Sequence, residues 1–164
     1  MREFFGKYRG RVENNRDPQF RGRVQVSVPR VLGDGHLSWA EPCVPYAGPG
    51  QGFHAVPPTG AAVWIEFEAG DPRHPILAGG RWEAGQPPAG GMPTVKVWKS
   101  EAITITLDDL PGSGGFTVAV DPPAVPLPVT LAMTRNGIEL SVGASSVVLD
   151  GTSVKINKDA LVVT

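Results

Sequence analysis

Three histidines and one cysteine are the side chains in this sequence that offer imidazole nitrogen or thiolate ligands to a metal ion. His36, His54 and His74 each lie in a Gly/Pro-rich or turn context, where histidines are usually exposed to solvent. Cys43 is the only cysteine, so the chain can form neither an internal disulfide nor a cysteine-based zinc site. We therefore expect no metal and no cofactor, and we interpret Cys43 as a small core or loop residue.

Paired carboxylates are the second candidate for chemistry. Glu66 and Glu68 share one face of a predicted strand, near Asp71 and Glu83, but a glycosidase pair needs a cleft and a fixed separation. The Gly-rich stretch 48–52 lacks the Lys-Ser/Thr ending of a phosphate-binding loop, and the sequence contains no Gly-x-Ser-x-Gly motif. A solvated strand face explains the carboxylates better, and we predict that the chain is not an enzyme.

Charge is nearly balanced over the chain but uneven along it. Lys and Arg number 15 and Asp and Glu 16, so the net charge of −1 disfavours a general nucleic-acid binder. Residues 1–30, however, carry eight basic and three acidic side chains. This basic start is either a solvated strand face or a docking face for an acidic partner. The candidate contact residues are Arg9, Arg11, Arg21 and Arg23.

Length and composition favour a small β-rich protein. The 164 residues allow one ordinary domain or a small domain with an appendage, and 41% apolar residues can supply a core. The 21 glycines and 17 prolines argue against a helix-rich fold. No apolar run reaches the length of a signal peptide or a membrane-spanning helix, so we expect the chain to be made in the bacterial cytoplasm.

Composition divides the chain into three predicted segments. Residues 1–83 contain alternating strands near 8–13, 23–28, 62–68 and 75–82, which suits an OB-fold barrel, although a small β-sandwich would also fit. Residues 84–97 form a Pro/Gly-rich linker. Residues 98–164 form a second β-rich unit, with alternation at 103–107 and 116–120 and a Pro-rich loop at 121–128. We therefore predict an all-β fold.

A seven-residue repeat at the end of the chain is the most informative pattern. From residue 140 onwards, apolar residues occupy the first and third places of each repeat, and Gly143, Asp150 and Asn157 occupy the fourth. Because one residue separates the two apolar residues of each repeat, both apolar side chains lie on one face of a short strand. The fourth residue supplies a turn. This spacing excludes a coiled coil and is typical of a β-helix.

Two apolar residues per repeat cannot enclose a core within one chain. Burying eight aliphatic side chains at about 1.5–3 kcal/mol each barely offsets the entropy of ordering the segment. We therefore predict an intertwined triple-stranded β-helix formed by a homotrimer. The predicted trimer core consists of Leu140, Val142, Val147, Leu149, Val154, Ile156, Leu161 and Val163.

Several short motifs, in this order and spacing, resemble the phage baseplate assembly protein V family, the central spikes of contractile tails. The same stretches are similar to the spikes of type VI secretion and extracellular contractile injection systems. The resemblance covers about residues 4–83 and 98–164. The motifs that carry it are at residues 5–12, 21–26, 42–45, 57–60, 70–79 and 99–116.

The resemblance implies a structural role in a baseplate. The OB-fold would sit on a trimeric hub protein, and the β-helix would point at the target membrane and puncture it when the sheath contracts. The seven-residue repeat departs from the family's usual eight, and the end of the chain, residues 160–164, lacks the His-x-His iron site of some phage spikes. A separate conical tip protein could cap this end. No nucleic-acid partner is expected.

An OB-fold binding module is the alternative function. Arg9, Arg11, Arg21 and Arg23 would then contact the phosphates of single-stranded nucleic acid, or the barrel would bind an oligosaccharide. This alternative leaves the C-terminal repeat without a role.

Overall fold

The computed structural model describes residues 2–158 and 160–164. The chain forms two compact units, Met1–Gly85 and Gln86–Thr164. A strand of the second unit begins at Val95, inside the stretch 84–97 that the sequence predicts to be linker. Pro88–Gly91 of the same stretch forms a 3-10 turn.

The first unit is a closed barrel of five strands in the order β1-β2-β3-β7-β6. β3 and β7 pair in parallel, and the other neighbouring strands are antiparallel. The strands of this unit are β1 (Tyr8–Asn14), β2 (Val24–Ser27), β3 (Leu37–Pro42), β4 (Ala47–Gly48), β5 (Gln51–Gly52), β6 (Ala62–Phe67) and β7 (Pro75–Gly80). β4 and β5 form a separate small hairpin, α1 (Pro29–Leu32) is one helical turn, and Glu68–Gly70 is a 3-10 turn.

Alternation in the barrel strands produces the core. Every second residue of β2 and β6 is buried, as the sequence pattern predicts for strands with one inward face. Gly10 of β1 is buried against Ile65, whose Cγ1 would lie 2.9 Å from a Cβ at position 10, so the site has no room for a side chain. The buried apolar residues are Val12, Val24, Val26, Val28, Ala40, Val63, Ile65 and Phe67.

Two local features of the barrel distinguish it from the strands that the sequence predicts. β7 contains a bulge next to Gly79: Trp64 pairs with Gly79 but Ile65 pairs with Leu77, so Ala78 is skipped. β3 was not predicted, because only Ala40 of its six residues is buried and the alternation is therefore weak.

The second unit contains one open sheet of eight strands, in which each strand pairs with its neighbour along the chain. Every pairing is antiparallel, so within one chain the repeat forms a meander. The strands are β8 (Val95–Lys99), β9 (Ile103–Asp108), β10 (Gly115–Val120), β11 (Val129–Thr134), β12 (Gly137–Val142), β13 (Ser145–Leu149), β14 (Val154–Ile156) and β15 (Leu161–Val163). The predicted all-β fold, a closed barrel followed by a β-rich unit, is confirmed.

Candidate assembly surface

One face of the eight-stranded sheet carries an unbroken row of apolar side chains. Residues directly opposite each other in an antiparallel pair lie on the same face, so the strand register identifies the row. It crosses all eight strands and is called the central row. Its members are Trp98, Ile105, Val118, Leu131, Leu140, Val147, Ile156 and Leu161.

Two further apolar rows flank the central row on the same face. One crosses seven strands and consists of Leu107, Phe116, Met133, Ile138, Leu149, Val154 and Val163. The other crosses four strands and consists of Ile103, Val120, Val129 and Val142. Ser145 stands opposite Val142, so the second flanking row ends where β13 begins. These three rows together form the apolar face.

The apolar face is not covered by the described residues of its own chain. No described residue of the second unit is buried, and side chains along the central row such as Leu140 (51% exposed), Leu161 (53%) and Trp98 (61%) remain open. A soluble protein rarely leaves so large a contiguous apolar surface in water unless another molecule covers it. The sheet is therefore built to be completed by another chain.

The opposite face is called the polar face because small and polar residues dominate it. One of its rows consists of Lys99, Thr104, Ala119, Thr130, Ser141 and Ser146. The next consists of Val97, Thr106, Thr117, Ala132, Glu139, Val148, Lys155 and Val162. This composition suits contact with solvent, and the two faces of the sheet are chemically distinct.

All eight residues predicted as trimer core lie on the apolar face. Leu140, Val147, Ile156 and Leu161 are in the central row, and the other four are in the flanking rows. The sequence prediction assigned no core residues to β8–β11, although the central row continues across these strands. The signal was available: Val129, Leu131 and Met133 alternate with threonine and alanine just after the Pro-rich loop.

The fourth place of each repeat supplies the turn that the sequence predicts. Gly143 and Asn157 adopt positive φ values of 56° and 48°. The Asp150 carboxylate accepts hydrogen bonds from the backbone N–H groups of Thr152 (2.9 Å) and Ser153 (2.7 Å). Lys155, whose Nζ lies 2.9 Å from Asp150 Oδ2, is the main reason that the pKa of this carboxyl lies far below its usual range.

The four predicted docking arginines have different environments. Arg9 and Arg11 point outward from β1 and are exposed. Arg21 Nη2 lies 3.0 Å from Glu41 Oε1, in an exposed ion pair. Arg23 is bound to Asp17, with Nη2 2.8 Å from Oδ1, and its side chain is only 12% exposed. Arg23 therefore stabilises the barrel, whereas Arg9 and Arg11 are exposed on its outer face.

The candidate chemical groups lie apart. Glu66 forms an exposed ion pair with Lys7 at 2.5 Å, and His74 Nδ1 lies 3.4 Å from Asp71 Oδ2. Cys43 is exposed. Within residues 2–158 and 160–164, no group of three His, Cys, Asp or Glu side chains is placed to hold a metal ion. The described helices are also too short and too polar to span a membrane.

Both units match models of known protein families. Residues 8–82 match the type VI secretion system/phage-baseplate injector OB domain, and residues 95–162 match the phage baseplate V C-terminal trimerisation domain. A search of curated proteins found no match to the chain. The two domain matches leave out only residues 1–7, 83–94 and 163–164, and the second supports a homotrimer built through the sheet. The chain therefore belongs to the phage baseplate V family, the spike-type structural proteins of phage baseplates and type VI secretion systems.

Proposed function

We propose that three copies of this chain form the central spike of a contractile tail or injection particle, which docks on a hub and pierces the target envelope when the sheath contracts. The observation that carries the proposal is the exposed apolar face, because its central row runs the full length of the sheet and no described residue of the chain covers it. Three such faces turned inward enclose a triangular prism with a continuous apolar core.

The dimensions of the sheet suit a piercing element. Eight strands at the usual spacing span about 34 Å along the prism axis. Strand length falls from six residues in β9–β12 to three in β14 and β15, so the face narrows from about 20 Å to about 10 Å. A prism that narrows towards the C-terminus concentrates force on a small area.

Backbone pairing and chain association both resist the force on the spike. Each strand from β9 to β14 is hydrogen-bonded on both sides, so bending the prism requires breaking ladder hydrogen bonds. Each chain would also expose its apolar face to water if it separated from the other two. β15 is the last strand of the sheet, so one edge of its backbone has no neighbouring strand, and a separate tip protein would cap that edge.

The barrel would supply the contact with a trimeric hub protein. Arg9 and Arg11 lie two residues apart on the outer face of β1, and a hub surface rich in carboxylates would complement them. Arg21 and Arg23 are engaged with Glu41 and Asp17, which weakens the alternative of four arginines gripping a nucleic-acid backbone.

Gene replacement in the encoding organism tests the proposed function. The gene is deleted and replaced by the full chain or by a version that ends at Gly85, which keeps the barrel and removes the sheet. We expect the full chain to restore assembled particles in electron micrographs and dye entry into target cells. We expect the shortened chain to abolish dye entry, because no piercing element remains. Particles with the shortened chain that admit dye as well as wild type would contradict the proposal.

A further inference from the structure

Phe20 is held out into solvent by the loop between β1 and β2. Its side chain is 96% exposed, the highest value among the described large apolar residues. Its backbone is also in the left-handed region, with φ 55°, a conformation that is unfavourable for a bulky side chain. The exposed ring and the strained backbone of Phe20 both cost free energy. A glycine at this position would close the same loop without either cost.

A buried carboxylate organises this loop, which we call the Phe20 loop (residues 15–23). The Asp17 side chain is 4% exposed. It accepts hydrogen bonds from the backbone N–H groups of Gln19 (3.0 Å), Arg21 (2.9 Å) and Arg23 (3.3 Å), and from the Arg23 guanidinium at 2.8 and 3.2 Å. Phe20 N–H donates to the Asp17 carbonyl at 3.1 Å, which closes the turn. The backbone on both sides of Phe20 is therefore fixed before any partner binds.

The Phe20 loop is also braced against the barrel. The Arg23 guanidinium lies 5.4 Å from the centre of the Trp39 ring on β3, which adds a cation–π contact. Asn15 Nδ2 donates to the Pro57 carbonyl at 3.2 Å. Gly22 lies beside His54, whose Cε1 would be 3.4 Å from a Cβ at position 22. The loop is thus a rigid projection of the barrel.

The Phe20 loop carries a net positive charge. Its arginines at positions 16, 21 and 23 outnumber its one carboxylate, Asp17. Arg23 neutralises Asp17 and Arg21 pairs with Glu41, which leaves the exposed Arg16 as the excess charge beside Phe20 in the sequence. A complementary surface would offer an apolar pocket with carboxylates around it. Nucleic acid fits less well, because stacking platforms for bases combine several aromatic residues with a basic groove.

We propose that Phe20 is the anchor by which the barrel docks on a second protein of the particle, through an apolar pocket rimmed by carboxylates. This inference rests on the proposed function, in which that protein is the hub. Binding hot spots are commonly aromatic or arginine side chains that fill a pocket on the partner. A loop that is already fixed in its bound conformation loses little conformational entropy on docking. This would explain why Asp17 and Arg23 hold an exposed turn in one conformation.

Photo-crosslinking tests the contact directly. Benzoylphenylalanine at position 20 is introduced into the full chain in the encoding organism, and purified particles are irradiated and analysed by mass spectrometry. We expect a crosslink to another polypeptide of the particle, at an apolar site near Asp or Glu residues. A crosslink to a second copy of this chain, to nucleic acid or to a glycan would overturn the inference, as would the absence of any protein crosslink.

A substitution series separates this inference from the proposed function. Phe20→Gly removes the ring and relieves the positive φ, so the chain should fold normally and keep the trimeric mass of wild type. We expect about tenfold fewer copies of the chain per purified particle. Phe5→Ala is the matched control, because Phe5 is an exposed barrel phenylalanine (66%) outside the loop, and its incorporation should be unchanged. Wild-type incorporation of Phe20→Gly refutes the anchor alone, whereas absence of the wild-type chain from particles refutes the proposed function.

Discussion

The barrel and the sheet are made of the same kind of strand but bury their apolar residues in opposite ways. Strands of both units, such as β2 and β9, alternate apolar and polar residues, so both units have one apolar face. The barrel strands close on themselves, and residues such as Val26 and Ile65 are 0% exposed within one chain. The sheet stays open, and its described residues are all at least partly exposed.

The difference shows that alternation of apolar and polar residues determines which side of a sheet is apolar, but not what covers that side. In the barrel, β1 pairs with both β2 and β6, so the sheet has no remaining edge and its inner face is enclosed. In the second unit, each strand pairs only with its sequence neighbours, and β8 does not pair with β15, so the sheet stays open and one face remains uncovered. One unit is a self-sufficient domain, and the other is a part of an assembly.

A charge on the apolar face should have the largest effect, because it should separate the chains and leave the barrel intact. Val147 lies in the central row between Leu140 and Ile156. Val147→Asp places three carboxylates at one level of the proposed trimer core, at a penalty of roughly several kcal/mol per chain. We expect loss of the trimer in size-exclusion chromatography with light scattering, while the barrel stays folded.

The adjacent residue provides a matched control for this charge. Val148 is on the polar face, opposite Glu139 and Lys155, so a carboxylate at this position lies outside the proposed trimer core. Val148→Asp should therefore remain a trimer. Loss of the trimer in both variants, or in neither, would mean that the apolar face does not form the interface.

A cavity in the barrel core should produce a large but local effect. Ile65→Ala removes a fully buried side chain and should lower the free energy of unfolding of the barrel by about 2–5 kcal/mol. The trimeric mass should not change, since the barrel core lies within one chain. Calorimetry of the full chain would measure the shift, and a change in mass would show that the barrel also holds the trimer together.

An outward residue of the same strand is the control for the cavity. Glu66 forms an exposed ion pair with Lys7, and such pairs contribute about 0–1 kcal/mol. Glu66→Ala should therefore leave the unfolding temperature of the barrel close to that of wild type.

Acid should weaken the barrel through Asp17. The Arg23 guanidinium and the backbone N–H groups hold the pKa of Asp17 far below its value in the unfolded chain, which is about 3.9. Asp17 therefore contributes its full stabilisation above about pH 3.9, and this is lost progressively as the pH falls further, because the unfolded chain takes up the proton first. Asp17→Asn should be less stable at pH 7 and show a shallower decline below pH 4 in thermal unfolding. An equally steep decline in both proteins would contradict this assignment.

The smallest effect is expected at the surface of the sheet. Lys155 Nζ pairs with Asp150, which also caps the turn through Thr152 and Ser153. Lys155→Met removes a partly exposed ion pair and should lower the stability of the trimer by about 1 kcal/mol or less. Dissociation of the trimer in this variant would show that the charged turns, rather than the apolar face, control assembly.

The sequence predicted the parts of the fold that depend on strict alternation. β2 and β6 of the barrel, and the short strands after Gly143, follow from apolar residues spaced by two. β3 was missed because its outer residues, including Trp39, are half-buried and polar residues interrupt its pattern. The antiparallel course of the repeat could not be predicted either, since a spacing of seven is compatible with the successive turns of a β-helix as well as with a meander.

The four arginines predicted to dock show a second limit of prediction from sequence. Arg9, Arg11, Arg21 and Arg23 look equivalent along the chain, and only the fold shows that Arg23 is held by Asp17 and Trp39. Ion pairs between residues that are six or more positions apart depend on the path of a loop, which no local pattern reveals.

Solution mass tests most directly whether the open sheet, rather than the barrel, joins the chains. Light scattering after size exclusion is measured on the full chain and on a version that ends at Gly85. We predict three times the 17.3 kDa chain mass for the full chain and a folded monomer for the shortened one. A monomeric full chain would leave the apolar face without a partner and contradict the account, as would a shortened chain that still forms a trimer.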